Sequence, residues 1–272
     1  MDASSRQALV LTRERLAEIT RGAAGPGLLA LAEELFAVAR LLEGQVALRR
    51  ALSDPAGKPA ERAGLAGRIL GGRVSEATVD LVQTVARQRW SRPLDLVEAV
   101  ETLAVEASLD AAEARGELEG VEDELFRFGR IVGGDPALTR ILSDDSAPVE
   151  GKTALLDRLV SGRVSPVTEL LLRNSLTSRH VGAAENRVAR LSEAASARRG
   201  RSVAHVTTAE PLTAAQEQRL RDVLARIYGR AIGLQVTVDP DVLGGLVVHV
   251  GDEVIDGSVA NRLEVAGRRL VG

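Results

Sequence analysis

Three histidines, one Gly-Lys-Thr triplet and a set of scattered carboxylates are the residues of this 272-residue chain whose types could carry chemistry. His205 and His249 both fall in β-rich runs and can be neighbours, while His180 is remote in sequence. Two imidazoles without a third ligand make a poor metal site, so these histidines read as surface or half-buried sheet residues. Gly151-Lys152-Thr153 has the ending of a phosphate-binding loop. That motif needs a glycine at position 146, where this chain has Ser146, and a preceding strand that is also missing. Gly25-Pro26-Gly27 imitates a dinucleotide fingerprint but follows a helical stretch, which makes it a helix–helix turn. The carboxylates mostly alternate with arginines, as in Arg13-Glu14-Arg15, the pattern of a solvated helix face rather than an acid/base pair. Cysteine is absent, which removes disulfides, thiolate ligands and a cysteine nucleophile together. No catalytic constellation and no cofactor site emerge from these residues.

The composition narrows the classes further. Charge is nearly balanced, with 35 Lys+Arg against 38 Asp+Glu and a net charge of −3, so the clustered basic excess of a nucleic-acid binder is missing. Aromatic residues make up 2% of the chain, too few to line a typical small-molecule pocket or a base-stacking platform. The core must be built from Leu, Val and Ala, a set that favours helix. The N-terminal MDASSRQALV lacks the basic-then-apolar order of a signal peptide. The longest apolar stretch, 27–42, is broken by Glu33, Glu34 and Arg40, well short of a bilayer span. A cytoplasmic protein that meets a membrane only through its partners is expected.

The elements that must position any site are mostly helices. Leu28, Leu31, Leu35, Val38 and Leu42 step by three and four along one face, and Val181, Ala184, Val188, Leu191 and Ala195 repeat the stepping. Breakers at Asp54-Pro55, Gly71-Gly72, Arg92-Pro93, Gly133-Gly134 and Ser165-Pro166 divide the region into short amphipathic helices. A longer helix is predicted from Leu94 to about Arg115. The region also repeats itself: LFAVARLLEG from Leu35 matches LFRFGRIVGG from Leu125, and GRVS recurs at Gly72 and Gly162. Both pairs share a shift of 90 residues, and about a third of positions 31–90 equal their counterparts in 121–180 without a gap. After about residue 200 the grammar turns to strands. RSVAHVTTA reads as the first, a helix opens at Pro211 and holds Leu220, Val223, Leu224 and Ile227, and LQVTVD and LVVHV follow. Gly251-Asp252 gives a hairpin signal before EVID. Val259, Leu263, Ala266 and Leu270 form a last amphipathic helix, with Asp256 or Ser258 placed to cap it. The expected fold is mainly α, an N-terminal helical bundle with an internal duplication followed by a small α+β C-terminal domain. The expected boundaries are 1–115 and 116–199 for the two copies and 200–272 for the last domain.

The stretch from Val238 to Leu270 resembles the C-terminal signature of the delta subunit of the F-type ATP synthase, whose mitochondrial relative is the oligomycin-sensitivity-conferring protein. The residues that carry the likeness are Val238, Asp239, Pro240, Gly244, Gly245, Asp256, Gly257, Ser258, Arg262 and Leu263, with HVTTAEPLTAAQ from His205 upstream. The helical unit is similar to the family as well. Its Leu-Ser-x-Pro segment with a basic residue seven positions after the Pro is matched by Leu52, Ser53, Pro55 and Arg62. In the second copy the counterparts are Leu142, Ser143, Asp145 and Lys152. The family pattern has one copy of this unit where this chain has two, and the second, which runs straight into the C-terminal domain, is favoured for the family position.

The resemblance implies a non-catalytic stator subunit, peripheral on the cytoplasmic face of the cell membrane, that ties the catalytic head to the peripheral stalk. It implies that the helical domain binds the N-terminal helix of an alpha subunit and the C-terminal domain holds subunit b, with no nucleic-acid partner and no cofactor. In the family the partner helix lies between the first and fifth helices. Carried over, this points to Leu9, Thr12, Leu16 and Ile19 on the first helix. The fifth is either Val74, Thr78, Leu81 and Val85 or the duplicate Val164, Thr168, Leu171 and Ser175. Each of these can equally be plain bundle core. Gly244, Gly245 and Gly257 read as structural turn residues, and Arg262, Arg268 and Arg269 as candidates to touch subunit b. The rival reading is a generic helical adaptor for partner helices.

Overall fold

Prolines and glycines set the helix boundaries of the N-terminal part. The computed structural model describes residues 1–21, 23, 25–144, 146–178, 182–201, 203–228, 232–239, 244–250 and 253–257. Eleven helices run through the N-terminal part of these residues: α1 (Ala3–Thr20), α2 (Gly25–Gly44), α3 (Val46–Ser53), α4 (Pro59–Leu70), α5 (Glu76–Arg87), α6 (Pro93–Ala114), α7 (Leu118–Gly134), α8 (Pro136–Ser143), α9 (Val149–Val160), α10 (Pro166–Thr177) and α11 (Ala184–Arg201). Pro59, Pro93, Pro136 and Pro166 each occupy the first turn of a helix, where a missing N–H costs nothing. The long helix expected from Leu94 to Arg115 is α6. It ends in a Schellman turn, with Gly116 at φ 69°, its N–H on the Glu113 carbonyl, and the Glu117 N–H on the Ala112 carbonyl.

The 90-residue shift recurs in three dimensions. It carries α3, α4 and α5 onto α8, α9 and α10 residue for residue, and α2 onto α7 over most of its length. The shift also carries α1 onto the first 18 residues of α6, so α6 closes the first copy and opens the second. This explains why α6 is buried nearly all round, with Val97, Val100, Leu103, Ala104, Ala107 and Ala111 fully enclosed. The predicted faces hold: Leu28, Leu31, Leu35, Val38 and Leu42 of α2 and Ala184, Val188, Leu191 and Ala195 of α11 are all buried, while Val181 lies outside the described residues. One continuous apolar core spans both copies, and each buried Leu contributes about 1.5–3 kcal/mol relative to exposure.

The chain divides into two units, Met1–Ala195 and Ser196–Gly272. In the second, β1 (Val203–Thr208), α12 (Ala214–Tyr228), β2 (Gly233–Val238), β3 (Leu246–Val250) and β4 (Glu253–Asp256) form a sheet of order β2-β1-β3-β4. β1 pairs parallel with β2 across the α12 crossover and antiparallel with β3, and β3 pairs antiparallel with β4. Alternation along the strands buries Ala204, Val206, Val248 and Val250 with Leu224 of α12. The expected helix starts at Ala214 rather than Pro211. Thr213 and Gln216 form a reciprocal capping box there, the Thr213 hydroxyl taking the Gln216 N–H (3.3 Å) and the Gln216 side chain taking the Thr213 N–H (2.8 Å). Val250 stands opposite Glu253, as the hairpin reading requires, while the turn residues Gly251 and Asp252 and the closing helix over 259–270 lie outside the described residues.

Candidate partner interface

Local chemistry fixes where α1 sits. The Asp2 carboxylate caps the helix by accepting from the Ser4 and Ser5 N–H groups, and its pKa is lowered, first by the hydroxyl of Ser91 and then by the Ser5 backbone. Ser5 donates its hydroxyl to the buried Asp95 carboxylate (2.8 Å) and accepts from the Ser91 N–H (3.0 Å). Arg92 donates to the other Asp95 oxygen at 2.8 Å. This network ties the start of α1 to the start of α6. Further along, Arg15 reaches Asp80 of α5 at 2.7 Å and Arg13 reaches Glu106 of α6 at 2.7 Å. The Arg15 guanidinium is pushed up by its hydrogen bond to Glu18 and then by Asp80. Ser5 beside Ser91 and Arg15 beside Asp80 make α1 antiparallel to α5.

This orientation decides which way each face of α1 points. Leu9, Thr12 and Leu16 are buried in the bundle and Ile19 is packed against its edge. The opposite face exposes Gln7, Val10, Leu11, Glu14 and Ala17, with Val10 at 45% and Leu11 at 41% exposure. On α5, Thr78, Leu81 and Val85 point into the core, and Val74 precedes the Ser75 cap. The helix beside α1 is therefore α5 of the first copy. Leu171 of α10 is fully buried where α10 packs on α6, α7 and α9, with Thr168 also enclosed and Ser175 half-buried. Val164 precedes the Ser165 cap of α10.

Several residues that hold this arrangement together carry little sequence signal of their own. Glu34 of α2 accepts from the Ser75 N–H and hydroxyl and from the Thr78 hydroxyl. Glu124 of α7 accepts from the Ser165 N–H and the Thr168 hydroxyl, while the Ser165 hydroxyl donates to Thr168. The recurrence of Glu, Ser and Thr at a shift of 90 was available as a signal. Arg62, noted for its spacing after Pro55, is buried and donates to the carbonyls of Asp54, Gly57, Ala86, Arg87 and Gln88, closing the end of α5. Lys152, its counterpart, is buried inside α9, so the Gly-Lys-Thr triplet is helix interior.

In the second unit Gly244 and Gly245 have φ of 73° and 83°, a region other residues avoid, which accounts for the glycine pair. Gly257 has another reason: its N–H meets the Leu246 carbonyl at 2.9 Å, and a Cβ there would lie 3.2 Å from that oxygen. Asp256 lies in β4 opposite Val247. Ser258, Arg262, Leu263, Arg268, Arg269, Pro240 and His180 lie outside the described residues. His205 and His249 are cross-strand partners on the exposed side of β1 and β3. Among the described residues no three His, Asp or Glu side chains converge on a metal-sized site, and no helix is long and apolar enough to cross a membrane.

Residues 103–270 match the model of the family described as ATP synthase delta (OSCP) subunit. The match begins inside α6 and takes in the second copy and the α+β unit. A protein of Parafrankia sp. (strain EAN1pec) named ATP synthase subunit delta is 47% identical over 277 residues, covering 99% of both chains. A protein of the same name from Streptomyces griseus is 47% identical over 272 residues and 100% of both chains. A chain of the Toxoplasma gondii mitochondrial ATP synthase hexamer aligns over 62% of this chain and 95% of its own, at 19% identity and a TM-score of 0.33.

Proposed function

Since the chain belongs to the ATP synthase delta (OSCP) subunit family, we propose that its α1/α5 face receives the N-terminal helix of an alpha subunit while residues 200–272 hold the far end of subunit b. It is a non-catalytic stator subunit of the F-type ATP synthase, and its work is mechanical. The link must outlast the torque of rotation, so slow dissociation matters more than turnover. Membership in the family displaces the generic adaptor reading. The complex places the subunit at a membrane, and we assign it to the cytoplasmic face.

The observation that carries the interface is the outward side of α1. Val10 and Leu11 are exposed side by side on a helix that Arg15–Asp80 and Arg13–Glu106 clamp to its neighbours. Leu9, Thr12 and Leu16 seat α1 in the bundle from its inward side with Ile19 at the edge, and a partner helix can lay its apolar stripe on Val10 and Leu11. Leu171 likewise faces inward in the second copy. Isothermal titration of the full chain with a peptide of the alpha subunit's N-terminal helix tests the reading. Saturable one-to-one binding is expected, weakened at least tenfold by Val10→Asp. Absence of binding heat at about 50 μM peptide, weaker than a helix-in-groove contact of ordinary size, would refute it.

A further inference from the structure

The two copies bury their first and fifth helices differently. On α1, Gln7, Val10, Glu14 and Ala17 are exposed, whereas their counterparts on α6, Val97, Val100, Ala104 and Ala107, are all at 0% exposure. On the fifth helix, Ala77 and Thr84 are half-buried, whereas Val167 and Asn174 on α10 are buried. α2, a helix of the first copy, neighbours both α6 and α10. It runs along α6, touches α10 and donates the Arg40 guanidinium to the Asn174 side-chain oxygen.

The second copy supplies an internal control. Ala32, Phe36 and Ala39 of α2 are buried, Phe36 at 5% exposure. Their counterparts on α7 are Glu122, Phe126 and Gly129, and Phe126 is 56% exposed. The two phenylalanines occupy equivalent places within their own copies. What distinguishes them among the described residues is that α2 runs along α6 and touches α10, whereas α7 meets α11 beside Gly129 and Gly133, near Val188 and Glu185, and leaves Phe126 exposed. The contrast falls on Phe36, at the centre of the 32/36/39 stripe, while Glu122 and Gly129 are themselves half-buried.

We infer that α2 fills, in the second copy, the same groove that the first copy leaves open. Each chain then offers one helix-binding groove although it carries two copies of the module. The inference rests on the proposed reading of the α1/α5 face as a partner site, and it specifies the partner. The docking helix has small and aromatic apolar residues at i, i+4 and i+7, as α2 has Ala32, Phe36 and Ala39. It places a polar, hydrogen-bonding residue next to the last of them, as α2 places Arg40 on Asn174, whose counterpart on the open face is Thr84 of α5.

The chain lacks cysteine, so Arg40→Cys with Asn174→Cys introduces a unique thiol pair across α2 and α10 that a short bis-maleimide can join. Efficient cross-linking is expected, and the cross-linked full chain should bind one alpha-subunit peptide with an affinity within about twofold of the uncross-linked form. Two peptides per chain, a loss of binding on cross-linking, or failure of the thiols to join would each overturn the inference. A synthetic peptide of residues 25–44 with a lysine tail provides the second arm. It should bind the full chain one to one, compete with the alpha-subunit peptide, and lose binding when it carries Phe36→Asp. If the alpha-subunit peptide binds and the 25–44 peptide does not, the likeness between α2 and the partner is refuted. If neither binds, the proposed α1/α5 interface fails, and the cross-link alone decides the seat of α2.

Discussion

Glu34 reaches from α2 to the start of α5 and accepts both the backbone N–H (3.0 Å) and the hydroxyl (2.6 Å) of Ser75. A carboxylate placed there satisfies orphan donors at a helix N-terminus and meets the positive end of the helix dipole. Burial pushes the Glu34 carboxyl up, but the hydrogen bonds from Ser75 and Thr78 outweigh it and leave the pKa below the usual 4.5. With the folded-state value below the unfolded one, the stabilisation is complete above about pH 4.5 and is lost as pH falls through the folded value. Glu34→Gln should lower stability by about 1–2 kcal/mol at pH 7. The difference from the parent should shrink near pH 3.5, as read from urea melts. An equal difference at both pH values would show that the charge is not what holds α5 in place.

Arg62 makes a different prediction because its partners are all carbonyls. Five backbone oxygens receive its guanidinium protons within 2.6–3.0 Å. Removing the side chain leaves several of them buried and unpaired, each costing about 1–3 kcal/mol. Arg62→Met should therefore destabilise the helical unit by roughly 3 kcal/mol or more. Arg62→Lys should recover part of that, because Lys152 is buried at the equivalent position of the second copy. A lysine variant as unstable as the methionine variant would mean that the planar fork, rather than the charge, is what the site requires.

Gly72 and Gly162 close the same turn in the two copies, with φ of 70° and 71°. Nothing lies within 4 Å of a Cβ built at either position, so a substitution meets no clash and the cost is confined to the backbone. Gly72→Ala and Gly162→Ala should each cost about 1 kcal/mol. The double variant should show the sum, since the two turns share no partner. Thermal melts of the three variants would expose any coupling as a departure from that sum.

Much of this fold could be read along the chain because helix boundaries depend on local chemistry. Pro93, Pro166 and the glycines at 71, 72, 133 and 134 stop or start helices wherever they occur, and the strands 203–208 and 246–250 alternate cleanly. The double role of α6 was not legible. Between positions 3–20 and 93–110 few residues agree, because α6 is enclosed by both copies and has exchanged polar residues such as Gln7 and Glu14 for Val97 and Ala104. The direction of α1 was also hidden. Periodicity groups Leu9, Thr12 and Leu16 on one face, but only the contacts of Arg13, Arg15 and Ser5 with α5 and α6 show that this face points inward.

That inward orientation separates two substitutions that look alike in the sequence. Leu16 is 2% exposed, so Leu16→Asp buries a carboxylate without a partner and should cost about 4 kcal/mol or unfold the bundle. Leu9→Asp should behave the same way. Val10 is 45% exposed, so Val10→Asp should change stability by no more than about 0.5 kcal/mol. Yet Val10 lies on the side where the partner helix is assigned, and a charge facing an apolar stripe there should weaken alpha-peptide binding at least tenfold, about 1.4 kcal/mol. Far-UV circular dichroism and titration on the same samples tell these apart. If Val10→Asp binds as the parent does, the partner lies elsewhere on the molecule. If Leu16→Asp folds with parental stability, the inward assignment of that face of α1 is wrong.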